Sequence, residues 1–440
     1  MKRIYVISLL FTTGLSIQAQ EIWDLKRCID YAIEHNLSIK QQEDIQQQNE
    51  IEVSTAKWNR LPNLNGGVSH SFNFGRSIQA DNTYKSLNTQ NTGLNLSTSV
   101  PLFTGMQLTN NIALAKLNLK AAVEDLNKAK EDISIQVTSN YLQVLFNKEL
   151  SKIAHEQVML SKEILSQKEA FFANKKISKA DLYEAKSRVA QDELSAVQAE
   201  NNYKLSLLDL SQLLELPNPD EFEIAVPETD TLVNADILMS PVDIYAEAIA
   251  VKPTVKAAQY RLEGAQKNIR IAQSAYYPQL SLSAGLSTNY YNVSGRENGH
   301  FGAQLRDNFS QYIGFSLSVP IFNRFATRNR VRNARIQQHS FNLQLEEVKK
   351  NLYKEIQQAY YNAINASTQY ASSRTANQAA QLSFNLIKEK YIVGKANSTE
   401  YNEARTIWMK AISDFIQAKY DYLFRCKILD FYRGIPLNIN

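Results

Sequence analysis

From Leu64 the side chains alternate, with Leu64, Val68, Phe72 and Phe74 on one face and Asn63, Asn65, Ser69, Ser71 and Asn73 on the other. Period two predicts a strand. After a polar loop from Arg76 to Asn91 the alternation resumes, Leu94, Leu96, Val100 and Leu102 standing against Asn95, Ser97 and Ser99. It returns late in the chain with Leu280, Leu282 and Leu286, and again with Ile313, Phe315, Leu317, Val319 and Ile321. Each of the four strands is about ten residues or a little more, with one apolar and one Ser/Asn/Gly face, as a barrel wall between lipid and water requires.

Elsewhere the period changes. No proline occurs between Arg324 and Tyr391, and the apolar row Leu345, Val348, Leu352, Ile356, Ala359, Ala363 recurs every three or four residues. It continues as Ala366, Tyr370, Ser373, Asn377, Ala380, Phe384, Ile387 and Tyr391, predicting a helix of roughly 65 residues, or about 100 Å, packed beside others in a supercoil. Shorter helices return over 178–214 and 398–433, and helices of about 35 residues open at 24–60 and 241–276. An opening and a returning helix joined end to end match the long one. That match predicts 178–214 stacked on 241–276, and the C-terminal helix on 24–60.

The chain is written twice. An offset of 219 superposes Val100–Phe103 on Val319–Phe322, Ala115 on Ala334, Tyr141 on Tyr360, Ala185 on Ala404 and Tyr203 on Tyr422; upstream, an offset of 216 superposes Ala56 on Ala272, Pro62 on Pro278 and Leu64 on Leu280. The three-residue difference falls between the prolines of each half, where an exposed loop tolerates it. The predicted organisation is a signal peptide over 1–19, a first repeat over 20–216 with a β-hairpin at 62–103 and a helical hairpin at 104–214, a linker over 217–240, and a second repeat over 241–440 with a β-hairpin at 278–322 and a helical hairpin at 324–433. The fold class is mainly α with a β-barrel part. Four strands cannot close a useful barrel, and an open edge in lipid leaves backbone groups unsatisfied. Several chains must share one barrel, and three would supply twelve strands.

Composition adds a compartment. Lys2 and Arg3 precede an apolar stretch from Ile4 to Ile17 and then Ala19-Gln20, the pattern of a secretory signal peptide. No other segment approaches the ~18 consecutive apolar residues of a spanning helix, so a membrane crossing falls to the strands. Cys28 lies behind Asp24, Lys26 and Arg27, badly placed for lipidation. The net charge of +4, which becomes +2 without Lys2 and Arg3, is too small for a nucleic-acid footprint. His35, His70, His155, His300 and His339 are scattered without metal-ligand spacing. With no phosphate loop or nucleophile motif either, no catalytic residue and no cofactor is assigned and the chain is read as a non-enzyme.

Ala56–Leu64 (AKWNRLPNL) and Ala272–Leu280 (AQSAYYPQL) entering the strands, Val100–Phe103 and Val319–Phe322 leaving them, and the tip Tyr391-Ile-Val-Gly-Lys-Ala-Asn-Ser-Thr-Glu400 resemble the TolC family of outer-membrane efflux proteins over essentially the whole mature chain. The resemblance implies a homotrimer in the outer membrane of a Gram-negative bacterium, with a twelve-stranded barrel in the lipid and a twelve-helix periplasmic tunnel. It would serve a tripartite efflux or type I secretion system as a passive duct, engaged by a periplasmic adaptor (membrane fusion protein) and an inner-membrane transporter. Acidic residues after the second tip line the periplasmic mouth in that family; the matching residues are Glu400 and Glu403, with Asp181 and Glu184 at the same offset in the first tip. Repeated in three chains, Glu400 and Glu403 would form a ring favouring cations, whereas the plain alternative is a solvated acidic face at a helix N-terminus. Lys175, Lys176, Gly394 and Lys395 are the candidate adaptor contacts. Gly394 suits a left-handed turn and Lys175, its counterpart, departs from that pattern. A periplasmic adaptor and a structural coiled-coil envelope protein are the rival readings; the duplicated strands and hairpins argue against both. An oxidising periplasm permits a Cys28–Cys426 disulfide, but two unpaired, buried thiols are the expected state.

Overall fold

A computed structural model describes residues 22–78, 82–217, 222–227 and 239–437. The predicted signal peptide and parts of the predicted linker, 218–221 and 228–238, lie outside the described residues. The elements follow in the order β1 (Ile22–Trp23), α1 (Leu25–His35), α2 (Leu37–Trp58), β2 (Asn63–Asn73), β3 (Arg76–Ile78), β4 (Tyr84–Ser86), β5 (Thr89–Phe103), α3 (Gln107–Ala173) and α4 (Lys179–Leu213). Then come β6 (Glu223–Ile224), α5 (Pro241–Val251), α6 (Pro253–Ser274), β7 (Gln279–Val293), α7 (Phe301–Asp307), β8 (Ser310–Ser318), α8 (Ala326–Ile392) and α9 (Ser398–Tyr432).

The duplication holds to the residue. α3 and α8 both have 67 residues and α4 and α9 both have 35, each pair 219 apart; α1 and α5 have 11 and α2 and α6 have 22, each pair 216 apart. Even the left-handed backbone positions repeat: Gly105 with Arg324, Met106 with Phe325, Lys175 with Gly394, and Glu215 with Gly434.

Three expectations are corrected. Each opening helix is broken, not continuous. Asn36 leaves the helix with extended backbone and its Oδ1 accepts from the Ser38 N–H, starting α2 afresh. Pro253 forces the same break at Lys252, because the residue before proline is pushed out of the α region. The end-to-end stacking is also the reverse of that expected. Asn36 Nδ2 donates to the Leu213 carbonyl at 3.2 Å, and Arg433 pairs with Glu247 at 2.9 Å beside Val251 and Gly434. Each returning helix thus ends on the opening helix of its own repeat, which also removes the premise of a Cys28–Cys426 bridge; the two are not bonded. Finally, β8 stops at Ser318, so Val319–Phe322 lie beyond it.

Two compact units divide the chain, and neither is one sequence repeat. Of the described residues, one collects those within 1–41, 128–252 and 352–440, the other those within 42–127 and 253–351. In the first, β1 pairs in parallel with β6, and the Tyr141 hydroxyl donates to the carbonyl of Ala225 at 2.7 Å. Lys252, 3% exposed, is held there by Glu131 at 3.2 Å and by the Phe431 ring 3.5 Å from its ammonium. Cys28 is fully buried, which pushes its thiol up to about 12. The seam of α8 is equally clear: Leu345, Leu352, Ile356, Ala359, Ala363, Ala366 and Phe384 are all buried, while the residues next to each in the chain are exposed or half-buried.

The second unit contains the antiparallel sheet β2-β5-β7-β8. Its register aligns Val68 with Leu94, Leu96 with Leu286, Val100 with Leu282, Leu282 with Phe315 and Ala284 with Ile313. One face is therefore apolar across all four strands, and the other carries Asn65, Ser69, Ser97, Ser283 and Ser316. Leu64, Val68, Phe72, Ile313, Phe315 and Leu317 are all exposed. No helix among the described residues is long and apolar enough to cross a membrane.

Candidate functional site at the hairpin tips

The two helical hairpins end in closely similar turns. At the α3–α4 tip the Lys175 and Lys176 N–H groups donate to the carbonyls of Phe172 and Phe171, both at 2.9 Å. At the α8–α9 tip Gly394 and Lys395 donate to Tyr391 and Lys390 at 3.1 and 2.7 Å. This is the Schellman arrangement, with Lys175 (φ 58°) and Gly394 (φ 75°) in the left-handed position. Lys175 therefore makes the turn that its sequence put in question. Lys175, Lys176, Gly394 and Lys395 are all exposed.

The next helices start on matching capping boxes. Ser178 caps α4: its Oγ accepts from the Asp181 N–H at 3.2 Å, and the Asp181 carboxylate accepts from the Ser178 N–H at 3.0 Å and hydroxyl at 2.7 Å. Asn397 caps α9 in the same way, its Oδ1 accepting from the Glu400 N–H at 2.8 Å while Glu400 Oε2 accepts from the Asn397 N–H at 3.1 Å. Hydrogen bonds from Ser178 hold the Asp181 carboxyl below the usual carboxylate range. Of the four acidic candidates, Asp181 and Glu400 are thus engaged by the backbone of their own turns. Glu184 and Glu403, one helical turn further on, are exposed.

A buried polar cluster just beyond the tips escaped the sequence reading. Arg405 and Asp192 are each 5% exposed; Arg405 Nη2 donates to Asp192 Oδ1 at 2.7 Å and Nε to Gln157 Oε1 at 3.0 Å. Arg188 Nε stands 3.6 Å from the same aspartate oxygen. The cluster walls a cavity of about 190 Å³ that Glu184, Tyr391 and Tyr401 also line. Beside it, Ile164, Phe384, Tyr401 and Ala404 form a small core, with Trp408 stacked on Phe384 at 4.9 Å. Asp192 in a row with Leu182, Val189 and Ala196 was the available signal: a carboxylate in an apolar seam needs a buried cation. The described residues contain no cluster of metal-binding side chains.

The family model for outer membrane efflux proteins matches residues 28–215 and 244–429. The outer membrane efflux protein BepC of Brucella suis is 21% identical over 371 residues, covering 84% of this chain and 76% of that protein. The cation efflux system protein CusC of Escherichia coli O157:H7 is 24% identical over 372 residues, covering 79% and 74%. A crystal structure of CusC superposes with a TM-score of 0.76 at 17% identity, covering 93% of this chain and 92% of that one. With both repeats matched, the chain belongs to the outer membrane efflux protein family.

Proposed function

We propose that three copies of this chain form the outer-membrane channel of a tripartite efflux or type I secretion system, a passive duct whose substrates are driven by an inner-membrane transporter through a periplasmic adaptor. The observation that carries the reading is the four-stranded sheet, with one apolar face and both edge strands, β2 and β8, open. Lipid satisfies the apolar face, and only neighbouring copies satisfy the edges. The polar Ser/Asn face then lines water. The chain is no enzyme in this reading: Asp181 and Glu400, the carboxylates bonded at the tips, are engaged in capping their own helices, and the family is one of efflux channels.

Glu403 and Glu184 are the free carboxylates of the proposed mouth, and Glu400 and Asp181 contribute charge while capping their helices. The exposed Lys175, Lys176, Gly394 and Lys395 form the surface offered to the adaptor. Bilayer conductance of the detergent-extracted protein tests the gate. Glu403→Gln is expected to lower cation selectivity without altering thermal stability; unchanged selectivity in a Glu400→Gln/Glu403→Gln variant would remove the acidic gate while leaving the channel.

A further inference from the structure

The charge of the chain is unevenly placed. In residues 324–335 five of twelve are arginine: Arg324, Arg328, Arg330, Arg332 and Arg335, and the next carboxylate is Glu346. All five are exposed, and none makes an ion pair among the described residues. The equivalent positions of the first repeat are Gly105, Thr109, Asn111, Ala113 and Lys116, so the helix does not need the arginines to fold.

The run follows directly on the lipid-facing strand β8. Ile321, Phe322 and Phe325 are 95%, 71% and 57% exposed. The Phe322 and Phe325 rings meet edge-on at 5.6 Å, and the Arg328 guanidinium lies 5.7 Å from the centre of Phe325. Phe325, Arg328, Arg332 and Ile336 then recur at three- and four-residue spacing, away from the buried Thr327 and Val331. Aromatic rings passing into arginines over one or two turns match the step from acyl chain to headgroup at a membrane boundary.

We propose that the first three turns of α8 bind anionic phospholipid headgroups of the periplasmic leaflet. The proposal rests on the sheet spanning the outer membrane. A second copy of this chain is the other occupant to weigh, and its charge argues against it. The other helix ends next to the sheet are basic too: 51–60 carry Lys57 and Arg60 against Glu52, 265–274 carry Lys267 and Arg270 with no acid, and 107–120 carry Lys116 and Lys120 with no acid. A neighbouring copy would add positive charge at this level. A phosphate-bearing surface neutralises it, as juxtamembrane basic segments do elsewhere.

The test uses the mature protein in phosphatidylcholine vesicles and measures the relative association of spin-labelled phosphatidylglycerol and phosphatidylcholine. Wild type is expected to favour phosphatidylglycerol by a factor on the order of five, falling towards one at high salt and in Arg324→Gln/Arg328→Gln/Arg332→Gln/Arg335→Gln. Insertion with equal association of both lipids by wild type overturns the proposal and leaves the channel standing. A variant that keeps the preference, or that loses its trimer while keeping it, also overturns it and points to the neighbouring copy. Failure of wild type to insert removes the membrane reading and the proposal together.

Discussion

Lys175 and Gly394 occupy the same place in the two hairpin turns, 219 residues apart, and both adopt left-handed backbone, at φ 58° and 75°. A side chain there costs about 1–2 kcal/mol that glycine does not incur. No atom lies within 4 Å of a Cβ built on Gly394, so the cost is one of backbone and not of crowding. Lys175→Gly is expected to raise tip stability by about 0.5–1 kcal/mol and Gly394→Ala to lower it by a similar amount. Hydrogen exchange at the two turns reads both.

Asp181 links the first tip to pH. Its carboxyl is lowered by Ser178, so ionised Asp181 favours the folded turn. That contribution is fully present above the ordinary carboxylate pKa of ~3.9 and is lost as pH falls through the lowered value. Amide exchange at the start of α4 should therefore accelerate in acid beyond its intrinsic pH dependence. Asp181→Asn should abolish the excess, and an identical excess in the variant would contradict the capping role.

The buried pair is the largest single polar commitment near the tips. Arg405→Leu leaves the buried Asp192 with only the longer pair to Arg188 at 3.6 Å and the Ser161 hydroxyl, at a cost of about 3–5 kcal/mol. Arg405→Leu/Asp192→Leu should recover most of that loss, because the uncompensated charge is gone. Urea unfolding of the solubilised protein followed by Trp408 fluorescence compares the two, and equal destabilisation would show that packing, not charge, dominates.

The sheet faces differ by one residue. Leu282, between Val100 and Phe315, lies on the apolar face, and Ser283, beside it, on the polar one. Leu282→Arg is expected to cost about 2–4 kcal/mol of assembled stability and Ser283→Arg far less. Heat-modifiable gel migration separates them; equal effects would mean that neither face meets lipid.

Much of this was legible because period and repeat are local signals. The α8 seam from Leu345 to Phe384 and the strand faces around Leu282 follow from spacing alone, and two copies fix the register. What was missed depends on partners distant in sequence. Both opening pairs, α1–α2 and α5–α6, have the same lengths, so helix length could not say which one a returning helix would meet; the Asn36–Leu213 and Arg433–Glu247 contacts decide it. Asp192 and Arg405 are separated by 213 residues, off the repeat spacing, and pair only once α3, α4 and α9 are packed. The capping role of Glu400 was readable from Asn397 three residues before it. The break at Lys252 was readable from Pro253.

The account stands on the shared barrel. Planar-bilayer conductance of the detergent-extracted protein, with its oligomeric mass determined in the same preparation, addresses it directly. A trimer with a discrete conductance is the predicted result, and a soluble monomer that conducts nothing would contradict it.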